Sequence, residues 1–396
     1  MAEALQEFLE SRGLRIDVLV EALVRVDKSG DAAEIAAAFA TITETPALVS
    51  SIDEYCRPAY WDSVHYPPAL RDVAERLKLG KAGPLTTAIA ASHGDGRVRE
   101  LAVAKMLSRP APVQLPFLLL RMTDWAEPVS DAARLGVIRL LHDRPGTYLQ
   151  PAAEMMLHLR RRQRGGFGVK QLYAAAYDAP AQVLEQLERS VNLAVRRFAL
   201  EVRTRRGDLK LDQLVRLASR DFDIVVRSRA GDAAAREAVW SGRVDFLRQL
   251  AVCRHNEVRI SALTGLARLG HLEEIVALLD DRSSLIRALA RDAARRTGMD
   301  ATAWYRSAVS AFAQGTVASG TAPSLGVIAG FAESSRTEDG PLLYPLLGHP
   351  SARVRAFALG ALRILDAVPV ELARPMLEDP SRRVARAAVK ALGTQA

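Results

Sequence analysis

The side chains best placed to do chemistry recur in pairs: an aspartate followed six residues later by an arginine, as in Asp221 with Arg227 and Asp281 with Arg287. A carboxylate at a turn between helices accepts bonds from the free N–H groups that open a helix. A guanidinium, planar and forked, grips a carboxylate in the same repeat or in the next one. That chemistry is structural, so the recurring Asp and Arg are set aside as catalytic candidates. The seven histidines, His65, His93, His142, His158, His255, His271 and His349, are scattered. They form no His-x3-His pair, no His-Glu-x2-His motif and no Cys–His spacing. Cys56 and Cys253 stand far apart and make neither a disulfide framework nor a zinc spacing. No Gly-x-Ser-x-Gly elbow or phosphate-binding P-loop is present. The sequence therefore offers no catalytic, cofactor or metal residues, and the expectation is a protein that is not an enzyme.

The elements that carry these residues follow from an internal period. A polar residue precedes a β-branched anchor by about five positions, arginine usually follows the anchor, and alanine comes four places after it. The anchors are Val98, Val129, Val195, Val226, Val258, Ile286, Val354 and Val384. Their alanines are Ala102, Ala133, Ala199, Ala230, Ala262, Ala290, Ala358 and Ala388. Most anchors fall about 31 residues apart. Two intervals are about twice as long, which predicts degenerate copies near Val169 and Leu325, within 150–180 and 305–335. In the first copy the acid is Asp95, closer to its anchor than usual. Ser190, His255 and His349 stand at or near the Asp position, and Ser130 and Ala385 replace arginine. Those junctions are expected to rely on apolar packing. After each anchor, apolar residues at i, i+4 and i+7 or i+8 mark one face of a helix, and a second apolar stretch precedes each turn. Each unit is thus two helices of about 10–14 residues, a normal length, that must stack to bury their faces.

The Asp-x4-Val-Arg-x2-Ala grammar resembles the HEAT repeat, including the bacterial HEAT-like units seen in phycobilisome lyases. Pro116 and Pro341, each eight residues before the turn, sit where HEAT repeats often place a kinking proline. The resemblance covers about residues 85–396. It implies an all-α fold, a right-handed α-solenoid of antiparallel helix pairs. Residues 1–84 are helical by pattern but lack the grammar, and read as an atypical N-terminal cap. Gln314–Pro323 reads as a loop.

Composition fits this architecture. Of 396 residues, 49% are apolar and only 6% aromatic, which suits closely packed helices with small contact residues. The net charge of +8 is uneven: residues 1–100 carry 11 Lys/Arg against 16 Asp/Glu, the remainder 43 against 30. A basic body favours nucleic acid, an anionic surface or an acidic protein. No signal peptide opens the chain, and no apolar run reaches the roughly 18 residues of a membrane span, so the expected location is the cytoplasm, without membrane insertion.

Three groups of residues are left as candidate partner contacts. Arg287, Arg291 and Arg295 share one helix face and could meet an anion, or be neutralised by acids such as Asp292. Arg160, Arg161, Arg162 and Arg164 precede a glycine-rich stretch that reads as a break in the array. Tyr60, Trp61 and Tyr66 belong to an aromatic segment suited to gripping a peptide, stacking a base or packing the cap. The leading expectation is a non-enzymatic protein-binding scaffold or adaptor. The alternative is nucleic-acid binding, in the manner of the HEAT-like DNA alkylation-repair glycosylases, with Trp125 and Trp240 as further support. The phycobilisome-lyase resemblance touches the repeat unit only and carries no function.

Overall fold

The computed structural model describes residues 15–57, 67–313 and 324–393, and among these residues every regular element is a helix. The fold class is all-α. The chain divides into two compact units, residues 1–208 and 209–396, with the boundary inside the repeat array.

In the first unit, four helices lead among the described residues: Ile16–Ser29, Ala32–Thr43, Pro46–Cys56 and Pro68–Lys78. Four pairs follow: Pro84–Ala90 with Gly96–Ser108, Leu115–Arg121 with Glu127–Asp143, Pro145–Leu159 with Gly165–Asp178, and Ala181–Glu188 with Leu193–Arg206. The second unit begins with Leu211–Arg220 and Ile224–Trp240, Val244–Ala251 and Asn256–Arg268, Leu272–Val276 and Ser284–Arg296, and Ala301–Ala313 and Leu325–Ser334. Its last two pairs are the 3-10 segment Thr337–Gly348 before Ala352–Ile364, and the short α-helix Val370–Ala373 with the 3-10 turn Arg374–Glu378 before Arg382–Leu392. Within each unit the two helices of a pair pack together and the anchor helices stack on one another, as in an α-solenoid.

The anchor grammar is the packing code of these stacks. All eight anchors are buried, and all eight alanines are 0% exposed. An alanine at that point lets one helix approach the next, where a longer side chain would hold it off. Anchor helices run 11 to 17 residues. The helices before the turns are often shorter than the spacing suggests, with 8 residues in Val244–Ala251 and 5 in Leu272–Val276. Helices also occupy the two gaps in the period, at Gly165–Asp178 and Leu325–Ser334. In the latter, Gly326 lies so close to the preceding pair that a Cβ would come within 1.6 Å of the Asp280 carbonyl oxygen.

Proline acts differently from a mid-helix kink. Pro116 sits in the first turn of Leu115–Arg121, where its missing N–H costs nothing. Thr337–Gly348 is in 3-10 form and contains Pro341 and Pro345, neither of which has an N–H to donate to an α-helical bond. In the first unit, buried Asp27 accepts from the N–H groups of Leu85 (2.9 Å) and Thr86 (3.2 Å), tying the first helix to the start of Pro84–Ala90. No single described helix is long and apolar enough to cross a membrane.

Candidate functional site

The turn before each anchor helix is built on the residue five positions ahead of the anchor. In seven of the eight copies its side chain accepts the N–H two residues on, and in the eighth the Cys253 thiol donates to the His255 carbonyl at 3.5 Å. Asp124 Oδ1 takes Ala126 N at 3.1 Å, and Asp221 Oδ1, Asp281 Oδ1 and Asp379 Oδ1 take Asp223 N, Ser283 N and Ser381 N, each at 2.8 Å. Ser190 Oγ does the same for Asn192 N at 3.1 Å, and His349 Nδ1 for Ser351 N at 3.0 Å. In the first copy this residue is His93, whose Nδ1 accepts Asp95 N at 3.0 Å. Asp95 instead caps the helix through Arg97 N at 2.9 Å. Ser190 and His349 thus replace the aspartate in its hydrogen bond, so these turns are not held by apolar packing alone. Near Val258 the residue five positions ahead is Cys253, and His255 lies closer to the anchor.

The arginine after the anchor joins neighbouring repeats. In four copies its Nη1 donates to the carbonyl six residues back, Arg99 to His93 at 2.9 Å, Arg227 to Asp221 at 3.0 Å, Arg287 to Asp281 at 2.6 Å and Arg355 to His349 at 2.9 Å, whereas Arg196 and Arg259 donate to the carbonyl eight back, of Glu188 at 2.7 Å and Ala251 at 3.0 Å. The rest of the fork reaches a carboxylate in the following pair. Arg99 meets Asp124 twice at 2.9 Å, and Arg355 meets Asp379 at 2.8 and 2.9 Å. Arg259 meets Asp281 at 2.5 Å, and Arg227 meets Glu257 at 3.0 Å. The pairings Asp221–Arg227 and Asp281–Arg287 are therefore made through backbone carbonyls, and the ion pairs run between repeats. Burial works against the charge on Asp281, but bonds from Arg259 and Ser283 N hold its carboxyl below the usual range.

The stripe Arg287, Arg291 and Arg295 belongs largely to this ladder. Arg287 is buried and binds Glu333, which Arg291 also meets at 2.8 Å. Burial opposes ionisation of Glu333, and the two arginines outweigh it, holding the carboxyl below its ordinary value. Arg295 pairs with Asp292 on the exposed surface. Glu333 and Glu257 escaped the sequence pattern. Glu333 lies in a degenerate copy with no register to mark it, whereas Glu257, one residue before an anchor, could have been found by asking which acid replaces the missing Asp.

The first unit holds a denser charge cluster. Asp53 is held by Arg57, Arg121 and Arg162, and Asp124 by Arg57, Arg99 and Arg121. Both aspartates are buried, as are Arg99 and Arg121. Burial penalises the Asp53 charge, and its three arginines reverse that penalty and keep the carboxyl low. Burial also pushes the neighbouring Cys56 thiol up, which removes it as a nucleophile. With each carboxylate shared among three guanidinium groups, the cluster is a structural knot.

The basic segment feeds this knot. Arg162 reaches Asp53 at 3.4 Å and Glu54 at 3.3 Å, and Arg164, at φ 68°, donates to the Asp124 carbonyl at 3.0 Å. Arg160 and Arg161 are exposed. The glycines after them form the start of Gly165–Asp178 rather than a break. Gly165 is buried where a Cβ would meet the Leu159 carbonyl oxygen at 2.2 Å. Tyr60, Trp61 and Tyr66 lie outside the described residues, as does the stretch 314–323.

What the ladder leaves open is the outer edge of the turns. Beside them stand exposed apolar side chains: Trp125 at 70% and Val191 at 95% in the first unit, and Phe222 at 69%, Val252 at 84% and Leu285 at 62% in the second. Phe222, Val252 and Leu285 come from three consecutive pairs, and Ile224 joins them as another exposed apolar residue. Trp240 is also exposed, at the far end of its helix. A proline-lined cavity of about 200 Å³ in the first unit, bounded by Pro46, Pro112, Pro116 and Pro151, is smaller than the roughly 300–1,000 Å³ of ordinary ligand sites. Among the described residues no three His, Cys, Asp or Glu side chains converge to hold a metal ion.

No family model and no curated protein matches the chain. Solved structures with some likeness include Kap121p, at 13% identity and a TM-score of 0.32 over 98% of this chain and 50% of the other. The karyopherin Kap121p bound to the extreme C-terminus of the protein phosphatase Cdc14p gives 13% identity and a TM-score of 0.33, over 95% and 49%. An engineered protein gives 16% identity and a TM-score of 0.14, over 81% and 95%. The chain spans about half the length of the karyopherin structures.

Proposed function

We propose that this chain is a non-enzymatic scaffold that binds other proteins along the turn edge of its helix pairs. The observation that carries this reading is that Phe222, Ile224, Val252 and Leu285, at or beside the turns of consecutive pairs, are apolar and exposed. Exposed apolar residues grouped along one edge mark interaction surfaces, whereas isolated ones do not. The ladder beneath would hold such an edge rigid, so that little ordering cost falls on binding. Nucleic-acid binding fits less well, because Arg287 and Arg291 already hold Glu333 and offer phosphate little unsatisfied charge. Affinity capture from a native lysate, comparing the natural chain with a Phe222→Ser, Ile224→Ser, Leu285→Ser variant, tests the reading. The variant should lose the captured proteins while keeping its helices.

A further inference from the structure

The last two anchor helices differ from the others on one face. Arg353, Ala356 and Phe357 of Ala352–Ile364, with Arg383, Arg386, Ala387 and Lys390 of Arg382–Leu392, line a groove of about 500 Å³. Arg353, Phe357, Arg383, Arg386 and Lys390 are exposed. Their neighbours in the ladder are neutralised, as Arg355 is by Asp379. These four cations, by contrast, make no ion pair with any described acid.

The same repeat positions carry a different charge earlier in the second unit. Six residues after the anchor stand Asp232, Thr264, Asp292, Gly360 and Lys390 in turn. One residue before the anchor stand Val225, Glu257, Leu285, Arg353 and Arg383. Among these copies of the second unit, cations at the two positions occur only on the final two anchor helices. The floor is apolar, formed by Phe357, Ala356 and Ala387.

Resting on the scaffold reading, we infer that this groove receives a short acidic segment of a partner protein. Its carboxylates would pair with Arg353, Arg383, Arg386 and Lys390, and one apolar side chain would lie against Phe357. Guanidinium forks match carboxylates bidentately, and a rim of like charge around an apolar floor selects a ligand that is acidic and amphipathic at once. A nucleic-acid strand suits it less. At the equivalent positions earlier in the unit stand Asp232 and Asp292 rather than cations, so a polyanion continuing along the array would gain no further charge pairs there.

Fluorescence anisotropy on the full chain provides the test. The probe is a short fluorescein-labelled peptide alternating glutamate with leucine. A lysine–leucine peptide and a labelled oligodeoxythymidine serve as comparisons. The glutamate–leucine peptide should bind, lose affinity with rising salt, and weaken by about tenfold or more in R383E/R386E. Phe357→Ser should weaken it by several-fold, and the lysine–leucine peptide should not bind. Thermal melts of the variants should match the natural chain, since the altered side chains are exposed. If R383E/R386E melts early, Arg353→Gln with Lys390→Gln replaces it and should still weaken binding.

The proposal is overturned if the acidic peptide does not bind, if the charge variants bind it unchanged, or if the oligonucleotide binds more tightly and is lost with the same substitutions. Should the groove fail in this way while the turn-edge variant still loses its captured proteins, the scaffold reading stands alone. Should the turn-edge variant keep every captured protein and the peptide result hold, the groove would be the partner site and the edge reading would fall.

Discussion

Arg99 and Arg295 carry the same charge in very different surroundings. Arg99 is fully buried, donates to two carbonyls and grips Asp124 with both arms of its fork. Arg295 lies on the surface beside Asp292. Removing one partner of a buried ion pair strands the other charge, at a cost of about 3–5 kcal/mol, whereas exposed pairs contribute about 0–1 kcal/mol. Arg99→Ala leaves Asp124 with Arg57 and Arg121 but strips two carbonyls of their donor, so it should lower the stability measured by urea unfolding by about 2 kcal/mol or more, and Arg295→Ala by less than about 1 kcal/mol. Equal losses would contradict the ladder.

His93 gives a pH signature. Burial brings its pKa down to about 4, while its Nδ1 accepts Asp95 N. The folded state thus keeps it neutral where the unfolded chain, near 6.5, takes up a proton. Its contribution is complete above about 6.5 and declines as pH falls towards about 4, by on the order of 2–3 kcal/mol. Below that, protonation of Asp281 and Glu333, both held low by arginines, should weaken the array further. Urea midpoints of the natural chain should fall across the first window, and those of His93→Asn should fall less. At this scale the sequence revealed which arginines matter but not their partners. The ladder acids lie 25 residues on from Arg99, 22 from Arg259 and 46 from Arg287, too variable for any fixed spacing.

For the elements, the period was the most legible feature. A β-branched anchor and an alanine four places later share a buried helix face, and every copy does so in the structure. Ala262 is 0% exposed on its helix, and one turn further on Gly265 leaves no room for a Cβ beside Leu247, at 2.8 Å. Ala262→Leu should overpack this contact and lower stability by about 1–3 kcal/mol in denaturant unfolding. An unchanged midpoint would mean that the helices are not closely stacked there. Helix length and proline behaviour were less legible. Short helices such as Leu272–Val276 are stabilised by tertiary packing rather than by their own propensity, which the local pattern does not report. Pro341 lies inside a 3-10 segment that also holds Pro345, not at a kink in an α-helix, and the local pattern does not report that form.

Across the whole molecule, the division between Asp208 and Leu209 left no mark on the repeat grammar, because the residues on either side keep the same period. Each unit has its own buried apolar cluster. The candidate surface was equally hidden. Phe222 and Leu285 fall outside the anchor face, and a single exposed apolar residue has no sequence signature. Charge counting, in turn, overstated the free positive surface, since ladder arginines such as Arg287 spend their charge inside the protein. Arg353, Arg383, Arg386 and Lys390 show what remains once those pairs are subtracted.

The central claim, that the exposed apolar turn edge binds proteins, meets its most direct test in quantitative affinity capture of the full chain. The natural chain and the Phe222→Ser, Ile224→Ser, Leu285→Ser variant would be compared in nuclease-treated native lysate. The account predicts a defined set of proteins on the natural chain, reduced about tenfold or more on a variant whose helicity and melting are unchanged. Equal capture by both chains, or capture that disappears once nucleic acid is digested, would contradict it.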